Sequence, residues 1–200
     1  MVAIMGPSAS GKSTLLYSVS GMDAATSGTV LFNDKDITKM KKNELSDMRL
    51  DEMGFIFQQM HMLKTLNILD NIILPATEAK TKKRSRKQIT EQGEQLMRKM
   101  GIIDIAGNDI NEVSGGQLQR ACICRSMIND PEIIFADEPT GALNRSSSDE
   151  VMQMLCDLNR EGTTIMMVTH DARVAAKCSR VMFIVDGEIK GEKELGVCDS

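Results

Sequence analysis

The sequence predicts an α/β fold: a mostly parallel sheet covered by helices on both faces, interrupted by an inserted α-helical segment. Three observations lead there. Short runs of consecutive apolar residues alternate with helix-length stretches, which is the pattern of strands buried on both faces. The first run, Val2-Ala3-Ile4-Met5, enters a glycine-rich turn that leads straight into a helix. From Gln59 to about Asn129 the pattern becomes helical, dividing one domain of residues 1–200 into a core (1–58 and 130–200) and a helical subdomain of about 59–129.

In chain order, a helix over Ser13–Ser20 carries Leu15, Leu16 and Val19 at helical spacing and stops at Gly21. Thr29–Phe32 reads as a short strand followed by the turn residues Asn33 to Asp36. Lys41–Leu50 reads as an exposed helix, and Gly54–Phe57 as a buried strand that delivers Gln58 at its end. In the helical stretch, Leu66–Leu74 should stop at Pro75, while Ile89, Leu96, Met97 and Met100 line one helix face ending near Gly101. Between them Lys80 to Lys87 holds six basic residues in eight, read as a solvated loop and helix start. Strand Ile133–Ala136, helix Ser146–Asn159, strand Thr164–Val168, a short helix near Asp171–Lys177 and strand Val181–Val185 complete the alternation. Ligands in such sheets bind at the carboxyl ends of the strands, where Gly6, Gln58, Asp137 and His170 all fall.

Composition narrows the function classes. A net charge of −4 argues against a broad nucleic-acid footprint, and 3% aromatics with no Trp argue against base-stacking platforms. Apolar runs such as Thr163–Val168 and Val181–Val185 are far shorter than the roughly 20 residues of a membrane span, and no signal peptide is present, so a cytoplasmic protein is expected. The five cysteines, 122, 124, 156, 178 and 198, show no chelating spacing and read as reduced thiols.

The chemistry sits in short stretches. Gly6-Pro7-Ser8-Ala9-Ser10-Gly11-Lys12-Ser13-Thr14 fits G-x-x-x-x-G-K-[ST] between a strand and a helix. Small residues let backbone N–H groups close around phosphate oxygens at a positive helix end. Lys12 would reach the β- and γ-phosphates, and the Ser13 hydroxyl would ligate Mg²⁺. Ile133-Ile134-Phe135-Ala136 ends in Asp137 and Glu138, one carboxylate for the metal shell and one to polarise an attacking water. Ser114, Gly115, Gly116 and Gln117 open another helix: Ser114 is a natural N-cap, and the glycines leave amides bare for a second anion. One nucleotide needs one cradle, so the second is better explained as serving ATP held by another subunit.

These stretches together resemble the nucleotide-binding subunit of ABC (ATP-binding cassette) transporters over nearly the whole chain. GPSASGKST resembles the family's Walker A, Gln58 its Q-loop, VSGGQ its signature, IIFADE its Walker B and His170 its switch histidine. The contexts GFIFQQ, ADEPTGALN and VTHD resemble the branch that works with FtsX-like permeases. That resemblance implies a P-loop NTPase (RecA-like) core, ATP and Mg²⁺ as cofactors, and a homodimer with ATP between Lys12 of one copy and Ser114, Gly115 and Gly116 of the other. It also implies Glu138, His170 and Gln58 as catalytic residues, Ser13, Gln58 and Asp137 around the metal, and a peripheral place on the inner face of the cell membrane beside a permease. The same motifs serve ATPases that drive a mechanical task such as cell division. A P-loop small-molecule kinase would lack the second cradle.

Three residues depart from the family pattern: Ala9 for Gly, Val113 for Leu and Asn144 for Asp. The family also carries, ahead of Walker A, antiparallel strands and an aromatic that stacks on adenine. The sequence lacks them, and Tyr17, in the helix after the loop, is not expected to substitute. A nucleotide-binding fragment with impaired activity is therefore a further reading.

Overall fold

The computed structural model describes residues 1–195. Its elements run β1 (Val2–Met5), α1 (Lys12–Val19), β2 (Leu31–Phe32), β3 (Lys35–Asp36), α2 (Lys42–Glu52), β4 (Met53–Ile56), α3 (Ile68–Glu78) and α4 (Arg86–Lys99). They continue with α5 (Gly115–Met127), β5 (Ile133–Asp137), α6 (Arg145–Arg160), β6 (Thr164–Val168), α7 (Ala172–Ala175), β7 (Arg180–Val185) and β8 (Glu188–Glu194). The main sheet has the order β4-β5-β6-β1-β7-β8. All its pairings are parallel except the last, β7 with β8.

Successive side chains of a strand point to opposite faces, and both faces here are apolar. Ile4, Phe135 and Val168 join Leu16 of α1 and Ile184 in one buried cluster. Their neighbours Ala3, Ile134, Ala136 and Met167 join Val151 and Leu155 of α6 and the apolar faces of α3, α4 and α5 in the other. Among the described residues no helix is long and apolar enough to cross a membrane.

Three readings need correction. Pro75 does not end α3, which runs on to Glu78. Ile68, Ile72, Ile73 and Ala76 keep one face buried across the proline, and the Pro75 carbonyl accepts from Asn129 Nδ2 at 3.3 Å. Burial outweighs the one missing N–H donor. The Thr29–Phe32 strand shrinks to a two-residue arm, Leu31–Phe32, paired antiparallel with β3 across a left-handed turn at Asn33 (φ 46°) and Asp34 (φ 62°); Lys35 and Asp36, read as turn residues, form the other arm. The basic run is the exposed loop and helix start that was expected, with α4 opening at Arg86 and only Arg84 half-buried. Lys80 pairs with Asp47 at 2.9 Å, Arg86 with Asp70 at 2.7 Å, and Arg84 donates to the Ile128 carbonyl at 3.0 Å and to Asn129 Oδ1. Finally, Cys122, Cys124 and Cys178 are free and buried as expected, but Cys156 is disulfide-bonded; Cys198 lies outside the described residues.

Strand β8 had no apolar signal. Its seven residues, Glu188 to Glu194, are all exposed and mostly charged, and Asp186 (φ 51°) with Gly187 (φ 79°) turns the chain into it.

Candidate active site

Parallel order brings the carboxyl ends of β1, β4, β5 and β6 to one edge of the sheet, and the predicted residues gather there. β1 ends at Met5, and the loop Gly6 to Gly11 leads into α1. Gly11 sits at φ 94° as an N-cap with no side-chain cap, so the first-turn amides of α1 have no side-chain acceptor. Gly6 is required by close approach: a Cβ there would lie 2.0 Å from the Ile184 carbonyl oxygen and 2.8 Å from Ser10 Oγ. Pro7, Ser8 and Ala9 are exposed, with Ala9 left-handed at φ 61°. Ser10 is buried, its Oγ without a hydrogen-bond partner, and its carbonyl accepts from Gly187 N at 3.0 Å.

Lys12, buried, folds back over this loop. Its Nζ donates to the carbonyls of Gly6 at 3.0 Å and Pro7 at 2.7 Å. Two neutral carbonyls satisfy an ammonium less well than anionic oxygens do, so the lysine is set to exchange them for phosphate.

One residue on, the Ser13 hydroxyl donates to Asp137 Oδ1 at 3.0 Å. The other oxygen of that buried carboxylate accepts from the Tyr17 hydroxyl at 2.7 Å. Burial, then the hydrogen bond and charge of Asp137, push the Tyr17 phenol up to about 12, so it remains a neutral donor at physiological pH. A hydroxyl and a carboxylate side by side fit a hard divalent cation such as Mg²⁺, which takes few protein oxygens and shares phosphate oxygens. Thr14, next to Ser13, is exposed.

Glu138 follows at φ 49°, with its N–H donating to the Val168 carbonyl at 3.0 Å. Its Oε1 lies 2.8 Å from His170 Nδ1; the Glu138 side chain is 13% exposed and that of His170 70%. A shielded carboxylate next to an exposed imidazole can accept a proton from water and be held in place while it does so. Gln58 is exposed just beyond β4, and among the described residues no hydrogen bond joins it to Asp137 or Glu138. Ser114 caps α5 in a reciprocal box with Gln117: Ser114 Oγ accepts from Gln117 N at 3.3 Å, and Gln117 Oε1 accepts from Ser114 N at 2.9 Å. The neighbours of the two glycines are Leu143, 3.9 Å from a Cβ on Gly115, and Ser147, whose Oγ is 3.1 Å from one on Gly116.

The structure thus leaves Lys12 bonded to the loop carbonyls of Gly6 and Pro7, and gathers Ser13, Tyr17 and Asp137 in one network and Glu138 and His170 in an adjoining pair. Gln58 and Ser114 to Gln117 are bonded to neither. The partner that sequence reasoning missed is Tyr17, weighed there only as an adenine platform. Its signal was position: it follows Ser13 by four residues, so both side chains leave the same face of α1.

A phosphate loop on one strand and paired carboxylates two strands over is an arrangement of P-loop nucleotide hydrolases, and this chain is one of them. It belongs to the ABC transporter family, whose model matches residues 1–141. It is 44% identical over 188 residues to YvrO, an uncharacterized ABC transporter ATP-binding protein of Bacillus subtilis, covering 94% of this chain and 81% of that one. Identity to the bacitracin export ATP-binding protein BceA of Halalkalibacterium halodurans is 44% over 189 residues, covering 94% of this chain and 74% of that one. Identity to the macrolide export ATP-binding/permease protein MacB of Aggregatibacter actinomycetemcomitans is 45% over 188 residues, but the chain spans only 29% of that protein. Among solved structures, a dimeric ATP-binding cassette in a post-hydrolysis state bound to ADP and Pi superposes with TM-score 0.90 at 36% identity, covering 98% of this chain and 85% of that one. The chain is an ATP-binding, ATP-hydrolysing cassette.

Proposed function

We propose that this cassette is the motor of a bacterial export or resistance system, acting as a homodimer closed around ATP and Mg²⁺ beside an FtsX-like permease on the inner face of the membrane. The observation that carries the reading is the network at the end of β5, where Asp137 meets Ser13 and Glu138 meets His170. Gly6 to Thr14 wraps the phosphates as Lys12 leaves the Gly6 and Pro7 carbonyls for anionic oxygens. Ser13 and Asp137, with Gln58, hold Mg²⁺, which neutralises phosphate charge when bound. Glu138 takes the proton of the attacking water, while His170 orients that carboxylate and faces the γ-phosphate. Ser114 to Gln117 stand apart from the phosphate loop with helix amides at their head, which supports their serving the ATP of a second copy.

We assign residues 1–58 and 130–200 to the ATP-hydrolysing core and about 59–129 to the helical subdomain. A cleft of about 360 Å³ at their junction, lined in part by Phe57, His61, Pro75 and Arg125, supports a partner element docking beside Gln58. The names of BceA and MacB support export as the task. Lys12→Ala should abolish Mg²⁺-dependent ATP hydrolysis, and Glu138→Gln should accumulate an ATP-dependent dimer in size-exclusion chromatography with light scattering. Hydrolysis undiminished in Lys12→Ala refutes the assignment. Co-purification with a division protein in place of an exporter permease points to the mechanical alternative.

A further inference from the structure

We propose that Tyr17 is a positioning residue for the cation-holding carboxylate: its hydroxyl occupies Asp137 Oδ2 and so keeps Oδ1 turned to Ser13. The inference rests on the Mg²⁺ site proposed above. The last torsion of an aspartate is broad, so a carboxylate with one fixed oxygen still samples a range of orientations. Asp137 has both oxygens fixed, Oδ1 by Ser13 at 3.0 Å and Oδ2 by Tyr17 at 2.7 Å. The two donors lie one helical turn apart on α1 and converge on it from a single rigid element.

The phenol is itself held. Its ring lies 6.5 Å from Phe57 at 53°, Phe57 stacks on Phe55 at 5.9 Å, and Phe55 stacks on Phe135 at 5.6 Å. This row runs from the partner of Asp137 through β4 to Phe135 of β5; the chain of β4 continues through Phe57 into Gln58, and Phe57 also meets His61 edge-on at 5.5 Å. With Oδ2 taken by a neutral donor, Oδ1 is the oxygen left to face a cation or its water. Tyr17 has no hydrogen bond to Glu138 or His170 among the described residues. Its influence should therefore fall on cation affinity and spare the proton-transfer step.

Tyr17→Phe keeps the ring and removes only the hydroxyl. ATP affinity is measured by displacement of a fluorescent nucleotide, in Mg²⁺ and in EDTA, and ATPase rate is measured against free Mg²⁺. The expected result is a half-saturating Mg²⁺ concentration raised about three- to tenfold, the share of a charge-assisted hydrogen bond lost as orientation. Turnover at saturating Mg²⁺ should stay within twofold and ATP affinity in EDTA should not change. A second variant, Phe57→Leu, leaves the hydroxyl but loosens the ring, and should shift Mg²⁺ half-saturation the same way by a smaller factor; it also serves if Tyr17→Phe fails to fold. An unchanged Mg²⁺ half-saturation, or a fall in turnover alone, overturns the proposal. If the unaltered chain binds ATP equally with and without Mg²⁺, the cation site and this role fall together; a Mg²⁺ dependence indifferent to both variants sinks only the role of Tyr17.

Discussion

Ala9 is the position where the phosphate loop stores strain. It is exposed and left-handed at φ 61°, so replacing it by glycine removes no packing. A non-glycine residue in this region costs about 1–2 kcal/mol, and the extra freedom glycine gives the unfolded chain offsets about 0.4–1 kcal/mol of the relief. Ala9→Gly should therefore stabilise the nucleotide-free protein by about 0.5–1 kcal/mol, or raise Tm by about 1–4 °C for a domain of this size. Ala9→Val places a β-branched side chain at the same angle and should destabilise by more than about 1 kcal/mol. Urea titrations of the three proteins without nucleotide measure both differences. If Ala9→Gly is the less stable and Ala9→Val equals the unaltered chain, the loop does not hold a left-handed residue there and the strain argument is wrong.

Two further outcomes follow from buried polar groups. Asn129, 3% exposed, donates to the carbonyls of Leu50 at 2.9 Å and Pro75 at 3.3 Å and accepts from Arg84, so Asn129→Ala should cost about 2–4 kcal/mol in urea unfolding; a loss under about 0.5 kcal/mol contradicts this. Burial pushes the Cys122 thiol up to about 11 and the Cys124 thiol to about 12, from an ordinary 9.0. Their folded-state values are raised, so their contribution to stability is complete below pH 9 and is lost as pH climbs toward about 11–12. Unfolding free energy followed by denaturant titration from pH 8 to 11 should fall more steeply in the unaltered chain than in Cys122→Ala/Cys124→Ala, and equal slopes would refute it.

The strands and the phosphate loop were legible because their signals are local. Ile133 to Ala136 is apolar throughout and ends in Asp137, so a strand buried on both faces was the natural reading, and the Gly6–Thr14 spacing admits few backbones. Misreadings arose where distant contacts decide. Pro75 reads as a stop until the buried face of α3 and the side chain of Asn129 are known. Glu188 to Glu194 form a strand because β7 offers them an edge. Tyr17 was visible as a residue but not as a partner of Asp137, since 120 positions separate them in sequence.

The pinning of the phosphate loop by the β7–β8 turn bears on the order in which the molecule is made. Gly187 N holds Ser10 O, the Ile184 carbonyl closes against Gly6, and β1 pairs with β6 on one side and β7 on the other. A nascent chain that has released residues 1–170 therefore owns every side chain of the Walker motifs and still lacks the wall against which the loop takes its shape. Competence to bind nucleotide arrives late in synthesis, with the hairpin, and a chain stalled before it would fold much of its helical segment and remain unable to grip ATP.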